Sequence, residues 1–325
     1  MDTSGLSGSS QRHHLPVQAN AFLDGVPNAQ TITSEVSRQV SQRHPCFGGA
    51  AAHTRYGRIH LPVAPSCNIH CRFCTRGIDA QARRPGTACR LLKPEEAVSS
   101  VEKALALCPD ISVVGVAGPG DALASDHALA ALREVHERFP ELLKCLSTNG
   151  LRLAERADEV WAAGVRSITV TVNAVDPTIL TELCSRIVLQ RRVIRGTEAA
   201  EILIEQQLEG IRRLSQLGAV VKVNTVLVPG VNDQHVEDIV TQSAAAGAHV
   251  ANIIPLIPNG EFRGYLAPNA QDLETARKIA ESHLAVYRTC RQCRADACGV
   301  PGTGIDFARQ VFGNDVVEGS YFSHG

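Results

Sequence analysis

Aromatic residues are scarce in this chain, at 4% of 325 residues, and neither sign of charge dominates: 32 Lys and Arg face 33 Asp and Glu, a formal net charge of −1. Proteins that grip nucleic acid or an anionic membrane usually show a basic patch or tract, so this balance argues against both classes of partner. Long apolar runs are missing too. Nothing approaches the roughly 18–20 consecutive apolar residues of a bilayer span, and the opening MDTSGLSGSSQRHH is polar where a signal peptide has its apolar core. These absences lead to the expectation of a cytoplasmic protein. Hydrophobic side chains make up 44% of the sequence, an ordinary globular fraction that supplies a sizeable core. At roughly 100–200 residues per domain the length allows one large or two modest domains, and single α/β barrels commonly reach it.

Cysteine is the outlier, with eleven residues at 46, 67, 71, 74, 89, 108, 145, 184, 290, 293 and 298. An odd number in a reducing compartment does not read as a disulfide framework. Two tight groups, 67/71/74 and 290/293, suggest metal instead, whereas Cys108 and Cys184 read as core or helix residues.

Residues 1–40 are rich in Ser, Gln, Asn and Thr with little periodicity and read as a mobile leader. From about His44, apolar runs at 59–65, 111–117, 143–147, 167–173, 220–228 and 250–257 read as six buried strands. Between them lie helical patterns over 94–107, 126–138, 153–163, 198–217 and 233–246, with a last one over 271–287. Strand–helix alternation with short connections predicts right-handed crossovers and a parallel sheet. The fold class expected is α/β, an incomplete TIM-like (β/α)6 barrel over 44–300 with a weakly patterned tail over 301–325. Chemistry in such a barrel sits where strands end and loops begin.

Directly after the first strand comes Cys67-Asn-Ile-His-Cys71-Arg-Phe-Cys74. Thiolates are soft ligands that hold iron–sulfur clusters. Three of them on a [4Fe–4S] cluster leave one iron open to a substrate or cofactor. A structural zinc site would favour paired CxxC knuckles with a fourth ligand. The triplet, with an aromatic before its third cysteine, resembles the radical S-adenosylmethionine (SAM) superfamily, whose fold is a partial (β/α) barrel. Gly118-Pro119-Gly120-Asp121 ends the second strand where that superfamily places a Gly-rich turn for the SAM amino group, although the same run makes an acceptable strand-to-helix loop. Ser147-Thr148-Asn149-Gly150 and Asn173 end the next two strands, positioned for the SAM carboxylate, ribose or adenine; Asx and ST turns are the plainer reading. Phe73 stands beside the adenine in this scheme, or simply packs.

Further runs narrow the resemblance. HPCF at 44–47, VAPSCNIHCRFC at 63–74, RPG at 84–86, AGPGD at 117–121, LSTNGL at 146–151, TVNAVDP at 171–177, VKVNTVLVPGVND at 221–233, NIIPLIP at 252–258 and CRQCRADA at 290–297 resemble the NifB family of nitrogenase cofactor biosynthesis proteins. The resemblance spans about residues 44–300; the carrier-like C-terminal domain that some members append is not expected. It implies an enzyme that fuses two [4Fe–4S] clusters and inserts a carbide, making the eight-iron precursor of the nitrogenase cofactor. One SAM donates a methyl group to a cluster sulfide, and a second is cleaved to a 5′-deoxyadenosyl radical that abstracts hydrogen from that methyl. The implied partners are an iron–sulfur donor scaffold, a carrier or maturation scaffold for the product, and a reductant such as ferredoxin or flavodoxin.

Carried over residue by residue, the resemblance assigns Cys67, Cys71 and Cys74 to the catalytic cluster. It assigns Cys46, Cys290 and Cys293 to one auxiliary cluster, binding N- and C-terminal extensions over the barrel mouth. A CxxC pair alone would equally read as zinc or as incidental. The other auxiliary cluster takes Cys145 and a histidine upstream of the first strand, here His53; a single histidine is by itself usually no ligand. The chain departs from the family where relatives carry a further cysteine six residues after Cys74: position 80 is alanine, which cannot coordinate metal. Cys89 is the thiol available to replace it, with an unpaired buried thiol as the bland alternative, and Cys298 is a spare ligand or packs. The family's HH pair reads His53-Thr54. Two further readings remain beside the carbide-forming enzyme: a radical SAM enzyme using auxiliary clusters on another substrate, and a non-catalytic iron–sulfur carrier.

Overall fold

The computed structural model describes residues 34–313. The leader over 1–33 and the end of the tail, 314–325, lie outside the described residues.

Eight strands form one sheet: β1 (Gly57–His60), β2 (Ile111–Val116), β3 (Leu143–Thr148), β4 (Val165–Thr171), β5 (Val220–Leu227), β6 (Val250–Pro255), β7 (Ala285–Val286) and β8 (Cys298–Gly299). Their order is β7-β6-β5-β4-β3-β2-β1-β8. Every pairing is parallel except that of β1 with β8. All six expected strands are present, and the arrangement is the partial barrel that the alternating pattern predicted.

Strand alternation decides which side chains face the barrel interior. Val114, Val116, Leu146, Ile168, Val170, Val221, Val223 and Ile253 point outward into the core beneath the helices. The residues between them, among them Gly115, Cys145, Thr169, Lys222, Asn224 and Asn252, belong to the inner face, which is polar and thiol-bearing. The outer face buries enough apolar surface to hold the sheet to its helices, so the inner face is left for function. The lower end of the interior is filled by helix Glu35–Arg43, whose Val40 packs with Phe47, Val113, Leu143 and Val220. Ser34 caps that helix through Ser37 N–H, so part of the span expected to be a leader is helical.

One local expectation is corrected, and one element carried no expectation. The helix expected over 271–287 ends at Glu281, and its last apolar residues become β7, paired with Val250 and Ala251; periodicity cannot separate so short an apolar run from a helical turn. The segment after helix Pro177–Leu183 is a hairpin, Cys184–Leu189 with Arg192–Arg195. Its turn residues Gln190 and Arg191 adopt φ of 50° and 63°, values usually signalled by Asn, Asp or Gly, so the sequence carries no mark of it. No helix among the described residues is long and apolar enough to cross a membrane.

Candidate active site at the barrel mouth

A cavity of about 280 Å³ occupies the barrel interior and mouth, and Cys46, Cys67, Cys71, Cys74, Cys145, Cys290 and Cys293, the cysteines assigned to clusters, all line it. The loop after β1 carries the triplet. Its segment Ile69–Cys71 pairs antiparallel with the hairpin strand Cys184–Leu189, setting Cys71 opposite Cys184. Cys74 N–H closes a turn on the Cys71 carbonyl at 3.0 Å. Burial pushes the Cys67 thiol up to about 11. A hydrogen bond with the Cys184 thiol, then burial and the neighbouring Cys74 and Cys67, push Cys71 well up. Cys184, read from sequence as a core residue, therefore belongs to this site. Arg76 donates to the Pro119 carbonyl at 2.8 Å and is electrostatically linked to all three thiols.

This donor set fits a [4Fe–4S] cluster. The three soft ligands crowd one another as thiolates and need a multiply charged cationic core, which deprotonates coordinating thiols outright. Among the described residues no three His, Cys, Asp or Glu side chains converge on a point where one metal ion would sit, as a lone zinc requires.

The loops facing the triplet are tied to each other. Asp121, 4% exposed, accepts from Leu123 N–H at 2.9 Å, Asn149 N–H at 2.6 Å and Thr148 Oγ1 at 3.0 Å. It braces the ends of β2 and β3, while burial pushes its carboxyl up. Thr148 Oγ1 is held between Asp121 and the Gly150 N–H, so both residues line the cavity with their polar atoms committed. Asn173 Oδ1 accepts from Val226 N–H at 2.9 Å. Ser147 and Phe73 also line the cavity, Phe73 with its ring 6.1 Å from that of Phe262. Gly118 does not line it: its carbonyl accepts from Ala64 N–H, and Ala117 and Gly120 face the cavity in its place. A Cβ on Gly120 would stand 2.0 Å from the Ser66 carbonyl oxygen, so only glycine permits this approach of loop to loop. Asn149 Nδ2 reaches Asn68 Oδ1 at 2.7 Å, and Gln207 reaches the Asn149 carbonyl at 2.8 Å. Neither Asn68 nor Gln207 had a sequence signal.

Cys46, Cys290 and Cys293, from the two ends of the chain, line the same cavity. Burial pushes Cys46 up; Cys293 and Cys290 add to this and Lys222 opposes it. Arg58 Nη2 donates to Cys293 Sγ at 3.1 Å. On the inner face His60, Gly115 and Cys145 stand in register across β1, β2 and β3. His60 Cδ2 and Cys145 Cβ lie 3.4 and 3.6 Å from where a Gly115 Cβ would be, so imidazole and thiol flank a residue with no side chain. Burial pushes Cys145 up to about 12 and His60 down to about 4. His60 Nδ1 lies 3.2 Å from the Arg294 carbonyl, which places the proton there and leaves Nε2 with its lone pair. His53 lies on the Cys46 side. Its Nδ1 is 2.9 Å from the Pro45 carbonyl and 2.8 Å from Tyr287 Oη, and its buried Nε2 has no protein partner. A ring nitrogen donating to a carbonyl while the other stays open is the usual posture of a metal-ligating histidine. Sequence reasoning missed His60, which stands at the end of the strand that leads into the triplet.

The remaining cysteines stay out of the cavity. Cys89 is buried with its backbone N–H 2.6 Å from Asp296 Oδ2, and its thiol also turns to that carboxylate. Ala80 packs against the core. Cys298 is buried in edge strand β8, with Cys108 and Asp306 as neighbours.

Residues 61–242 match the family model of the radical SAM superfamily. Curated proteins named FeMo cofactor biosynthesis protein NifB match more of the chain. The protein from Methanocaldococcus infernus is 43% identical over 79% of this chain and 85% of its own length. That from Methanocaldococcus jannaschii is 42% identical over 80% and 87%. That from Azotobacter vinelandii is 39% identical over 80% of this chain but only 53% of its own length. With the thiol triplet at the mouth of a partial barrel, these matches make the chain a radical SAM enzyme that belongs to the NifB family.

Proposed function

We propose that residues 44–300 act as one catalytic unit that fuses two [4Fe–4S] substrate clusters and inserts a SAM-derived carbide, producing the eight-iron precursor of the nitrogenase FeMo-cofactor. The observation that carries this reading is the single cavity shared by the triplet, by Cys46, Cys290 and Cys293, and by Cys145 with two open imidazoles. In the proposal Cys67, Cys71 and Cys74 hold the resident cluster, which when bound supplies one electron to the sulfonium of SAM. Arg76 offsets thiolate charge beside it. Ala117, Gly120, Ser147 and Asn173 shape the SAM pocket, Phe73 closes its outer side, and Asp121 with Thr148 keeps the two loops braced. One substrate cluster binds Cys46, Cys290 and Cys293, with the open Nε2 of His53 on that side. The other binds Cys145 with His60, which flanks the same glycine as that cysteine and is favoured over His53 for that reason, and without a ligand from position 80. An iron–sulfur donor scaffold, a product carrier and a one-electron reductant are the partners such a reaction needs.

Anaerobic reconstitution with iron counting and electron paramagnetic resonance, followed by SAM under dithionite, tests this. About twelve irons per chain, as three four-iron clusters, with both S-adenosylhomocysteine and 5′-deoxyadenosine formed, are expected. About eight irons or fewer, or no methyl transfer, would favour an enzyme with another substrate or a carrier.

A further inference from the structure

We propose that Lys222 is a positioning residue for the two substrate clusters: a buried ammonium lying between their sites as a shared counter-ion, which lets two anionic clusters approach each other. The inference rests on the cluster-fusion reading above and adds a residue to which neither motif nor spacing gave a role.

Lys222 stands on the inner face of β5 and is 4% exposed, yet among the described residues no carboxylate pairs with it. Its Nζ donates one hydrogen bond, to the Cys46 carbonyl at 2.8 Å. The ammonium lies 4.3 Å from the Phe47 ring centroid and 5.0 Å from that of Tyr287. These aromatic faces ease burial of a cation but do not neutralise it. An ammonium carries three donors, and the side chain lines the cavity.

Cys46, of the first cluster set, and Cys145, of the second, both pack against the small buried cluster that contains Phe47, the ring that the ammonium faces. One cation thus stands beside both ligand sets. Leaving a buried charge uncompensated is strongly destabilising, so the cation favours an anionic occupant of the cavity. A [4Fe–4S] core held by three thiolates carries net negative charge, and two such clusters repel at short range in a medium of low dielectric. A fixed cation between them lowers that repulsion without reorganising as they come together. Arg76 bears the corresponding relation to the triplet, and Arg58 adds a further buried cation beside Cys293.

The test separates charge from shape. Lys222→Gln removes the charge and keeps a donor for the Cys46 carbonyl; Lys222→Arg keeps the charge. Thermal unfolding of each variant reports folding. Redox titration of the reconstituted protein, followed by electron paramagnetic resonance, then reads the auxiliary-cluster potentials, and product analysis reads eight-iron yield. Lys222→Gln is expected to shift the auxiliary potentials negative and to lower eight-iron yield by about tenfold or more, with Lys222→Arg restoring both toward the parent. Parent-like potentials and yield in Lys222→Gln, or an arginine variant as defective as glutamine, overturn the proposal. If the parent binds auxiliary clusters but makes no eight-iron product, the fusion reading fails. The potential shift then still decides whether Lys222 is their counter-ion, and a parent binding no auxiliary iron overturns both.

Discussion

Substituting Gly120 with alanine tests the closest approach between the turn after β2 and the loop that carries the triplet. The new Cβ would stand 2.0 Å from the Ser66 oxygen, 2.5 Å from its carbonyl carbon and 2.8 Å from its nitrogen, all backbone atoms that no rotamer change removes. Relieving the shortest contact to an ordinary separation of about 3.4 Å opens the loops by roughly 1.4 Å. The bonds from Gly120 N–H to the Ala64 carbonyl at 2.9 Å and from Asp121 N–H to the Ser66 carbonyl at 2.8 Å span that gap and are lost or stretched. Two backbone bonds at about 1 kcal/mol each and overpacking of about 1–3 kcal/mol total about 3–5 kcal/mol. At about 2 °C per kcal/mol for a chain of this length, Tm falls by roughly 6–10 °C. Ser66 precedes Cys67, so the opening also moves a thiol against the SAM pocket. A misplacement of about 1 Å lowers the rate of 5′-deoxyadenosine formation about 10²-fold. The assays are differential scanning calorimetry and product quantification under anaerobic conditions. Gly77→Ala is the control, because nothing lies within 4 Å of its Cβ position; it should match the parent within about 0.5 kcal/mol. A Gly120→Ala protein that melts within about 2 °C of the parent and forms 5′-deoxyadenosine normally would refute the reasoning.

Three other outcomes are expected. Asp121→Asn leaves one of two backbone N–H donors, Leu123 or Asn149, facing an amide nitrogen, so chemical denaturation should show a loss of about 1–3 kcal/mol; unchanged stability would show that these bonds contribute nothing net. Cys290→Ala combined with Cys293→Ala should lower bound iron by about four per chain and stop eight-iron product formation, and undiminished iron would remove this pair from the ligand set. Cys89→Ser should leave iron content at the parent value, because the thiol turns to Asp296 rather than into the cavity; iron loss would mean that Cys89 supplies the ligand missing at position 80.

Local chemistry was legible in the sequence wherever it is written in contiguous residues. The triplet declares itself because three thiolates on one short loop must bind a common centre, and the alternation of apolar strands with amphipathic helices declares a parallel sheet with covered outer surfaces. The Pro177–Arg195 region was opaque because its turn uses Gln190 and Arg191, residues without the usual left-handed preference, and the end of the last long helix because three apolar residues serve strand and helix equally. Only the tertiary structure decided which residues share the cavity. Cys46 shares the cavity with Cys290 and Cys293 from the far end of the chain, and His60 and Cys145 flank one glycine only because three parallel strands bring them into register around Gly115. Lys222 and Cys184 carried no signal at all. A lysine in a strand and a cysteine beside a helix end look alike whether they face solvent, core or cluster, since the period-2 pattern fixes alternation but only the closing of the sheet determines what each face encloses.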